Sequence, residues 1–201
     1  MKNSMIMDLH VHTTISKCSK LTLEEILDNA AIQGLDGVCI TDHDTMDVRH
    51  RIDEGIQANG LCVIFGMEYA TPDGDFLLFG PFEYLEPGLD ARQLLQMVDN
   101  KGGVAIAAHP FRPGRSVSEF AVREGLCSVV ERVNGRNKPE ANEQTLEWFD
   151  RYDLAASGGS DAHSLEELGR TPSRILAPIA GRADFIEALK AGLIEPATHL
   201  T

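Results

Sequence analysis

The sequence predicts a single α/β domain in which parallel strands alternate with helices and close, or nearly close, into a barrel. Apolar runs of strand length recur along the 201 residues, and segments with the 3.6-residue period of amphipathic helices lie between them. Successive strand–helix units of this kind form right-handed crossovers in one parallel sheet. Roughly seven units fit, which is short for an eight-unit barrel of about 250 residues and favours a seven-unit barrel over residues 1–201.

The first half of the chain contains one helix with clear boundary signals. Thr22 and Glu25 form a capping-box pattern, and Gly34 ends the segment. The turn Thr71-Pro72-Asp73-Gly74 predicts a hairpin. The remaining predicted elements of this half are strands at 5–7, 37–41, 61–67 and 75–80 and a helix near 47–58 that Gly60 stops.

The second half continues the alternation. A helix near 90–101 ends at Gly102-Gly103, and residues 110–125 are predicted to form a loop with a short helix. The remaining predicted elements are strands at 104–108, 127–133 and 154–158, a last apolar run at 174–179, helices at 139–151 and 183–191, and a short tail.

Composition and charge narrow the class of protein. Eighteen basic residues against 31 acidic ones give a net charge of −13, which disfavours a broad electrostatic footprint on nucleic acid or an anionic membrane. The excess of acidic residues is explained equally well by a cation-binding site and by a charged surface that keeps the protein soluble. No apolar stretch approaches the roughly 20 residues that cross a bilayer, and no leader with a cleavage site is expected before Asp8. The four cysteines form no C-x-x-C pair, so a reducing cytoplasm is the expected location.

Five of the seven histidines lie in short clusters that follow strand-like runs. The clusters are Asp8-Leu9-His10-Val11-His12, Thr41-Asp42-His43-Asp44, Ala108-His109-Pro110 and Ser160-Asp161-Ala162-His163. The carboxyl ends of parallel strands meet at one edge of a sheet, where α/β folds keep their active sites, so we expect these side chains to converge. A single buried histidine is usually satisfied by hydrogen bonds alone. Four clusters in one register instead predict a metal site, for which imidazole and carboxylate suit Zn, Mn or Fe.

Together with Gly66-Met67-Glu68 and His109-Pro110-Phe111-Arg112, these motifs resemble the polymerase and histidinol phosphatase (PHP) family of metal-dependent phosphoesterases over nearly the whole chain. The resemblance implies a distorted (β/α)7 TIM-like barrel with two to three divalent transition ions, Zn, Mn or Fe, at the strand ends. It also implies hydrolysis of a phosphate monoester through a metal-activated hydroxide. The catalytic residues would then be Glu68, Asp161 and His163.

Carried over residue by residue, the resemblance implies three metal positions. The implied ligands are His10, His12, Glu68 and Asp161 for the first ion, Glu68, His109 and Glu131 for the second, and His43 and His163 for the third. The family commonly places an Asp or His five or six residues after His12, where this chain has Lys17 and Cys18. Cys18 could supply a thiolate to the third ion, or Lys17 could supply positive charge in its place, and the sequence leaves both open.

Other polar residues have expected supporting roles. Arg112, Arg115 and Arg136 follow ligand clusters and could bind the substrate phosphate, because a planar guanidinium offers paired donors. Ordinary surface pairs with acidic residues are the alternative. The carboxylates expected to orient ligand imidazoles are Asp8, Asp42 and Asp44. Cys39 and Cys62 are expected in the core, and His50 and His199 outside the site.

The predicted function is therefore phosphate monoester hydrolysis on a small molecule or nucleotide, with no membrane and no extended nucleic-acid surface as partner. One alternative is an exonuclease-type phosphodiesterase on short oligonucleotides, which the acidic charge disfavours, although a metal-lined pocket can hold one terminal phosphate. A second alternative is a non-catalytic metal-binding module. The complete set of ligand motifs argues against it. An amidohydrolase-like reaction with similar ions is a third.

Overall fold

The computed structural model describes residues 3–197, which contain eleven strands and six helices. The strands are β1 (Met5–Val11), β2 (Gly37–Ile40), β3 (Gly55–Ile56), β4 (Cys62–Phe65), β5 (Met67–Thr71), β6 (Gly74–Phe79), β7 (Val104–Ala107), β8 (Val129–Asn134), β9 (Ala155–Gly159), β10 (Ser173–Ile175) and β11 (Ile194–Pro196). The helices are α1 (Leu23–Asn29), α2 (Ala91–Asn100), α3 (Phe120–Arg123), α4 (Pro139–Gln144), α5 (Leu146–Phe149) and α6 (Arg182–Lys190).

The strands form two mixed sheets. One has the order β11-β10-β1-β2-β4-β3 and the other the order β5-β6-β7-β8-β9. β1, β2 and β4 run parallel, as do β7, β8 and β9, whereas β6 is antiparallel to both β5 and β7. Isolated parallel bridges at Val11–Ala162 and His43–Glu68 connect the two sheets. The predicted α/β class is confirmed.

The predicted distorted (β/α)7 barrel, closed or nearly closed, is not confirmed, since no continuous ladder joins the two mixed sheets within residues 3–197. The reason lies in the chain between β4 and β6. The predicted strand 61–67 is divided at Gly66, where the chain passes from one sheet to the other. A Cβ atom at Gly66 would lie 2.5 Å from Cε1 of Phe79, so only glycine allows this approach. The predicted turn at 71–74 then returns the chain as an antiparallel hairpin.

The start of α1, which the sequence marked with a capping box, is confirmed, whereas α1 ends at Asn29 and turns lead the chain to the predicted end at Gly34. The Thr22 hydroxyl accepts a hydrogen bond from the Glu25 amide at 3.1 Å, and the Glu25 carboxylate accepts one from the Thr22 amide at 2.8 Å. Asp90 and Gln93 form the same reciprocal pair at the start of α2. Each such cap contributes about 1 kcal/mol of stability.

Two predicted helices are wrong in extent. The segment 47–58 forms a 3-10 turn at Asp47–His50 and the short edge strand β3, because Glu54 is drawn into tertiary contacts. Its carboxylate accepts from the Phe65 amide at 2.6 Å and pairs with Arg182 at 2.9 Å. The segment 139–151 is divided into α4 and α5 at Thr145, whose hydroxyl donates to the Asn142 carbonyl at 2.6 Å.

The strands that carry the site are buried on both faces. Along β2, Val38 and Ile40 pack into one apolar cluster, while Cys39 packs into another that includes α6. Cys39 and Cys62 are fully buried, as predicted, and burial raises the pKa of Cys62 to about 11. Two cores therefore hold the strands from both sides, which fixes the position of their carboxyl ends.

The predicted tail contains β11, which pairs with β10, and His199 lies outside the described residues. Among the helices of residues 3–197, none has the length and apolar character needed to cross a membrane.

Candidate metal centre

The structure brings the four histidine clusters together around one carboxylate, that of Glu68. Its Oε2 lies 3.4 Å from Nε2 of His10, 3.2 Å from Nε2 of His12 and 3.0 Å from Nδ1 of His43. Its Oε1 lies 2.8 Å from Nε2 of His109. Glu68 is 2% exposed. The two oxygens of one buried carboxylate thus face different sets of imidazoles, which is the arrangement of a carboxylate that bridges two ions.

The first predicted position is formed by His10, His12, Glu68 and Asp161. Asp161 Oδ1 lies 3.7 Å from Nε2 of His10 and 3.5 Å from Nε2 of His12. The Nε2 atoms of His10 and His12 are buried and lack a hydrogen-bond partner. Burial without a partner is costly for a polar atom that has no other role. Ligands at about 2.1 Å from a tetrahedral ion lie about 3.4 Å from one another. The observed separations match that spacing, so these residues fit a divalent ion.

The third predicted position has a more open environment. Ligand atoms of His12, His43 and His163 lie within 4.8 Å of one another. Cys18 Sγ lies 3.2 Å from Nε2 of His163 without belonging to that group of three, and Cys18 and Lys17 are both exposed to solvent. A thiol beside a ligand imidazole supports the first of the two sequence interpretations, in which Cys18 contributes to the third ion.

Glu131 lies behind the ligand atoms rather than among them. Its Oε1 is 3.0 Å from Nδ1 of His10, the nitrogen opposite the one that faces Glu68. Its Oε2 accepts from the His109 amide at 2.7 Å and from the Asn134 side chain at 2.9 Å. This geometry differs from the predicted role of Glu131 as a ligand of the second ion. It corresponds to a carboxylate that orients a metal-binding imidazole.

The aspartates expected to orient imidazoles divide into two groups. Asp42 accepts from the Ser16 hydroxyl at 2.6 Å, and that hydroxyl lies 3.3 Å from Nδ1 of His12, so Asp42 acts on the imidazole through Ser16. Asp8 and Asp44 differ from the prediction because their carboxylates accept from backbone amides. Those amides belong to Ser160 and Gly169 for Asp8 and to Ala70 for Asp44.

The backbone at the site is strained. Among residues 3–197, the non-glycine residues with positive φ are Asp44, His109 and Asp161, at 57°, 31° and 55°. Such conformations cost about 1–3 kcal/mol each and persist only where the surrounding structure enforces them. All three belong to the predicted clusters. The strained backbone therefore lowers the stability of the fold while it orients the side chains of the site.

The charges of the buried groups depend on one another. Burial lowers the pKa of His10, but Asp161, Glu131 and Glu68 together raise it well above its ordinary value. Burial raises the pKa of Glu68 and of Asp161, yet His10 holds both well below their usual range. The carboxylates are therefore ionised, and a divalent ion would replace the imidazole protons that balance them.

His163 behaves differently from His10. Burial and the nearby His12 lower its pKa to about 4. Its imidazole is therefore neutral at physiological pH, which is the form that binds metal ions.

Of the three predicted phosphate-binding arginines, Arg112 reaches the centre. Its guanidinium contacts Asp161 Oδ2 at 2.7 Å, Asn134 Oδ1 at 2.7 Å and Asn137 Oδ1 at 2.9 Å. Three of its five N–H donors are thereby used, and two remain for another acceptor. Arg112 is held in one orientation at the edge of the centre.

The other two arginines pair with acidic residues other than Asp161. Arg115 donates to Asp75 Oδ2 at 2.7 Å, and this hydrogen bond raises the pKa of Arg115. Arg136 lies 3.5 Å from Glu167 at the rim of the site. His50 is exposed, as expected.

The sequence analysis missed several site residues, among them Ser16 behind His12, Asn134 and Asp75. Asn134 connects Glu131, Arg112 and, at 3.5 Å, Asp161. Asp75 shares a potential ion position with Glu68 and His109. A signal was present for Asp75, because it is an acidic residue in the apolar strand Gly74–Phe79.

The α/β fold and the buried histidine–carboxylate centre are those of a metal-dependent hydrolase. The family model of the PHP domain matches residues 8–105, and the model described as PHP-associated matches residues 139–194. The chain belongs to the PHP domain family, which confirms the resemblance.

Two proteins are similar to this chain over most of its length. An uncharacterized protein of Methanocaldococcus jannaschii is 34% identical over 173 residues, which cover 82% of this chain and 68% of that protein. The structure of PsfC from Pseudomonas syringae has a TM-score of 0.75 at 20% identity and covers 92% of this chain and 88% of its own.

Two larger proteins share the fold over part of their length. A two-domain Bacteroides vulgatus protein with a PHP-like metal-dependent phosphoesterase has a TM-score of 0.71 at 20% identity, covering 98% of this chain and 65% of its own. The lesion-specific endonuclease PfuEndoQ from Pyrococcus furiosus has a TM-score of 0.72 at 20% identity, covering 94% of this chain and 56% of its own. At these identities the likeness concerns the fold.

Proposed function

We propose that this chain hydrolyses a phosphate monoester of a small molecule or nucleotide at a centre of two to three Zn, Mn or Fe ions. The observation that carries the proposal is the Glu68 carboxylate, with Oε1 facing His109 and Oε2 facing His10, His12 and His43. When bound, divalent ions would lower the pKa of a coordinated water and offset the charge of the phosphate.

The protein's own contribution is orientation. Glu131 and Ser16 hold the imidazoles of His10 and His12 from behind, so that both Nε2 atoms face Glu68 and Asp161. The two remaining donors of Arg112 can bind phosphate oxygens, and its three existing contacts reduce the entropy lost on binding.

A cleft beside Arg112 supports a small substrate. It has a volume of about 360 Å³, and its lining includes Phe111, Arg112, Arg136, Lys138 and Glu140 but none of the candidate metal ligands, so Arg112 is its connection to the metal centre. This volume falls within the range of about 300–1,000 Å³ that is typical of small-molecule sites. An apolar ring next to three cationic side chains and the carboxylate of Glu140 suits the organic part of a phosphate ester that carries further polar groups.

Phosphodiester cleavage is the second candidate, because the endonuclease from Pyrococcus furiosus shares the fold. The net charge of −13 opposes it, since extended DNA contacts need cationic surface that releases counterions.

The proposal includes one PHP metallophosphoesterase domain over residues 1–201, working in the cytoplasm. The four cysteines are unpaired, which suits a reducing compartment.

The test is phosphate release from nucleotides, nucleoside bisphosphates and sugar phosphates, with Mn or Zn supplied. Single-stranded and duplex oligonucleotides labelled at one end serve as the comparison. We expect inorganic phosphate from small esters, and no internal cleavage of duplex DNA. Strand cleavage without phosphate release would replace the proposal by the phosphodiesterase, and C–N hydrolysis alone would replace it by an amidohydrolase.

A further inference from the structure

Asp75 is a buried carboxylate with no counterpart in the predicted ligand set. It lies in β6 between Gly74 and Phe76, and its side chain is 4% exposed. Its ligand atom lies within 4.8 Å of those of Glu68 and His109, and its Oδ2 is 3.9 Å from Nε2 of His109. A carboxylate at this depth is costly unless a cation or hydrogen-bond donors compensate it.

Asp161 also has a ligand atom within 4.8 Å of that of His109, but it belongs to the predicted first position, so the second position lacks a third protein ligand of its own without Asp75. Glu68 Oε1 and His109 Nε2 supply two ligands there. Glu131 faces away, because one oxygen is next to Nδ1 of His10 and the other accepts from the His109 amide and Asn134. Two protein ligands are fewer than the three that catalytic Zn sites use.

We infer that Asp75, in place of Glu131, is the third protein ligand of the second ion. The inference rests on the metal centre of the proposed function. Carboxylate, carboxylate and imidazole then form the second position, which is richer in oxygen than the first. Such a ligand set favours Mn or Fe relative to Zn more than the first position does.

Arg115 takes part in this position as a competitor of the ion. It donates to Asp75 Oδ2 at 2.7 Å, and its side chain is 50% exposed, whereas Asp75 is held in a strand. The guanidinium can therefore leave for solvent while the carboxylate stays. Removing the guanidinium should increase the affinity of the second ion, and removing the carboxylate should decrease it.

The test measures metal binding directly. The full chain is stripped with a chelator, and Mn²⁺ or Zn²⁺ is titrated against a chromophoric competitor, with bound ions counted by elemental analysis. Wild type should bind at least two ions. Asp75→Asn should weaken the second ion by more than the ~10–100-fold that loss of an outer partner costs. Arg115→Ala should tighten that ion several-fold.

Two further variants provide matched controls. Asp73→Asn changes a carboxylate in the same hairpin, which accepts from Ser118 at 3.2 Å, and should leave both ions unchanged. Glu131→Gln should weaken the first ion through His10 and retain the second. Circular dichroism and thermal melting verify the fold of each variant.

Wild-type-like binding by Asp75→Asn would overturn the inference. So would loss of the second ion in Arg115→Ala, since the ion pair rather than the carboxylate would then be required. If Asp75→Asn does not fold, Arg115→Ala decides, because unchanged affinity there also contradicts the inference. Fewer than one ion in wild type would overturn both proposals, whereas two ions in wild type and in Asp75→Asn would overturn this one alone.

Discussion

The first and third ion positions, here called the inner and the outer side of the metal centre, differ in how firmly the protein holds their imidazoles. On the inner side, His10 and His12 are fully buried, and Glu131 and Ser16 contact them from behind. On the outer side, the His43 side chain is 30% exposed. A buried and braced ligand loses little entropy when it binds an ion, whereas an exposed one must first be ordered. The inner ion should therefore bind tightly and the outer ion weakly.

The largest expected effect concerns the carboxylate that both sides share. Glu68→Gln should lower kcat for phosphate release by at least ~100-fold, or about 2.7 kcal/mol, because one substitution alters the ligand sets of two ions. Exposed Glu83→Gln is the control. Retention of more than about a tenth of wild-type kcat, a loss below roughly 1.4 kcal/mol, would show that Glu68 is not the bridge.

Next in size is the contrast between the two sides themselves. His10→Ala should remove the inner ion, with a loss of affinity beyond ~100-fold, whereas His43→Ala should weaken only the outer ion, by ~10-fold. Elemental analysis and competition titration at matched protein concentration measure both. Equal losses in the two variants would contradict the difference inferred from burial.

A smaller effect is expected from the arginine that spans the inner side and the cleft. Arg112→Ala should lower kcat/KM. The fall should correspond to a loss of about 1.5–3 kcal/mol in transition-state stabilisation, which is the contribution of a charge-assisted hydrogen bond. Arg115→Ala and Arg136→Ala should lower kcat/KM less, because these guanidinium groups pair with Asp75 and Glu167 and are more exposed than that of Arg112. Arg92→Ala, which breaks a surface pair with Glu124, is the control. Wild-type kinetics in all three site variants would disprove phosphate binding by these arginines.

The smallest effect should come from the outer side. Cys18→Ser should lower Zn content at the outer position, since a thiolate favours Zn over Mn. Lys17→Ala should leave the metal content unchanged and raise KM only slightly. If Cys18→Ser keeps its full metal content and Lys17→Ala raises KM strongly, a centre of two ions plus a lysine is the better description.

Much of the site could be predicted because its residues belong to short motifs that are recognisable within a few positions of the sequence. His10, His12, His109 and Asp161 follow apolar runs, and strand ends converge in any parallel sheet. The cap of α1 was predicted, since a capping box depends on residues three apart, whereas the Asp90–Gln93 box of α2 has the same spacing and was not identified. The helix predicted at 47–58 failed for the opposite reason, because its conformation depends on Arg182, a residue far along the chain.

The sequence by itself determined the α/β class, the kind of ligand and the family, because these depend on residue type, spacing and order. Only the tertiary structure decided which carboxylate faces which imidazole. Glu131 lies behind His10, although the sequence predicted it to be a metal ligand. Asp75 lies beside His109, although the sequence predicted no role for it. Such choices depend on the bend at Gly66 and on side-chain directions across two sheets, which bring together residues that are distant in sequence.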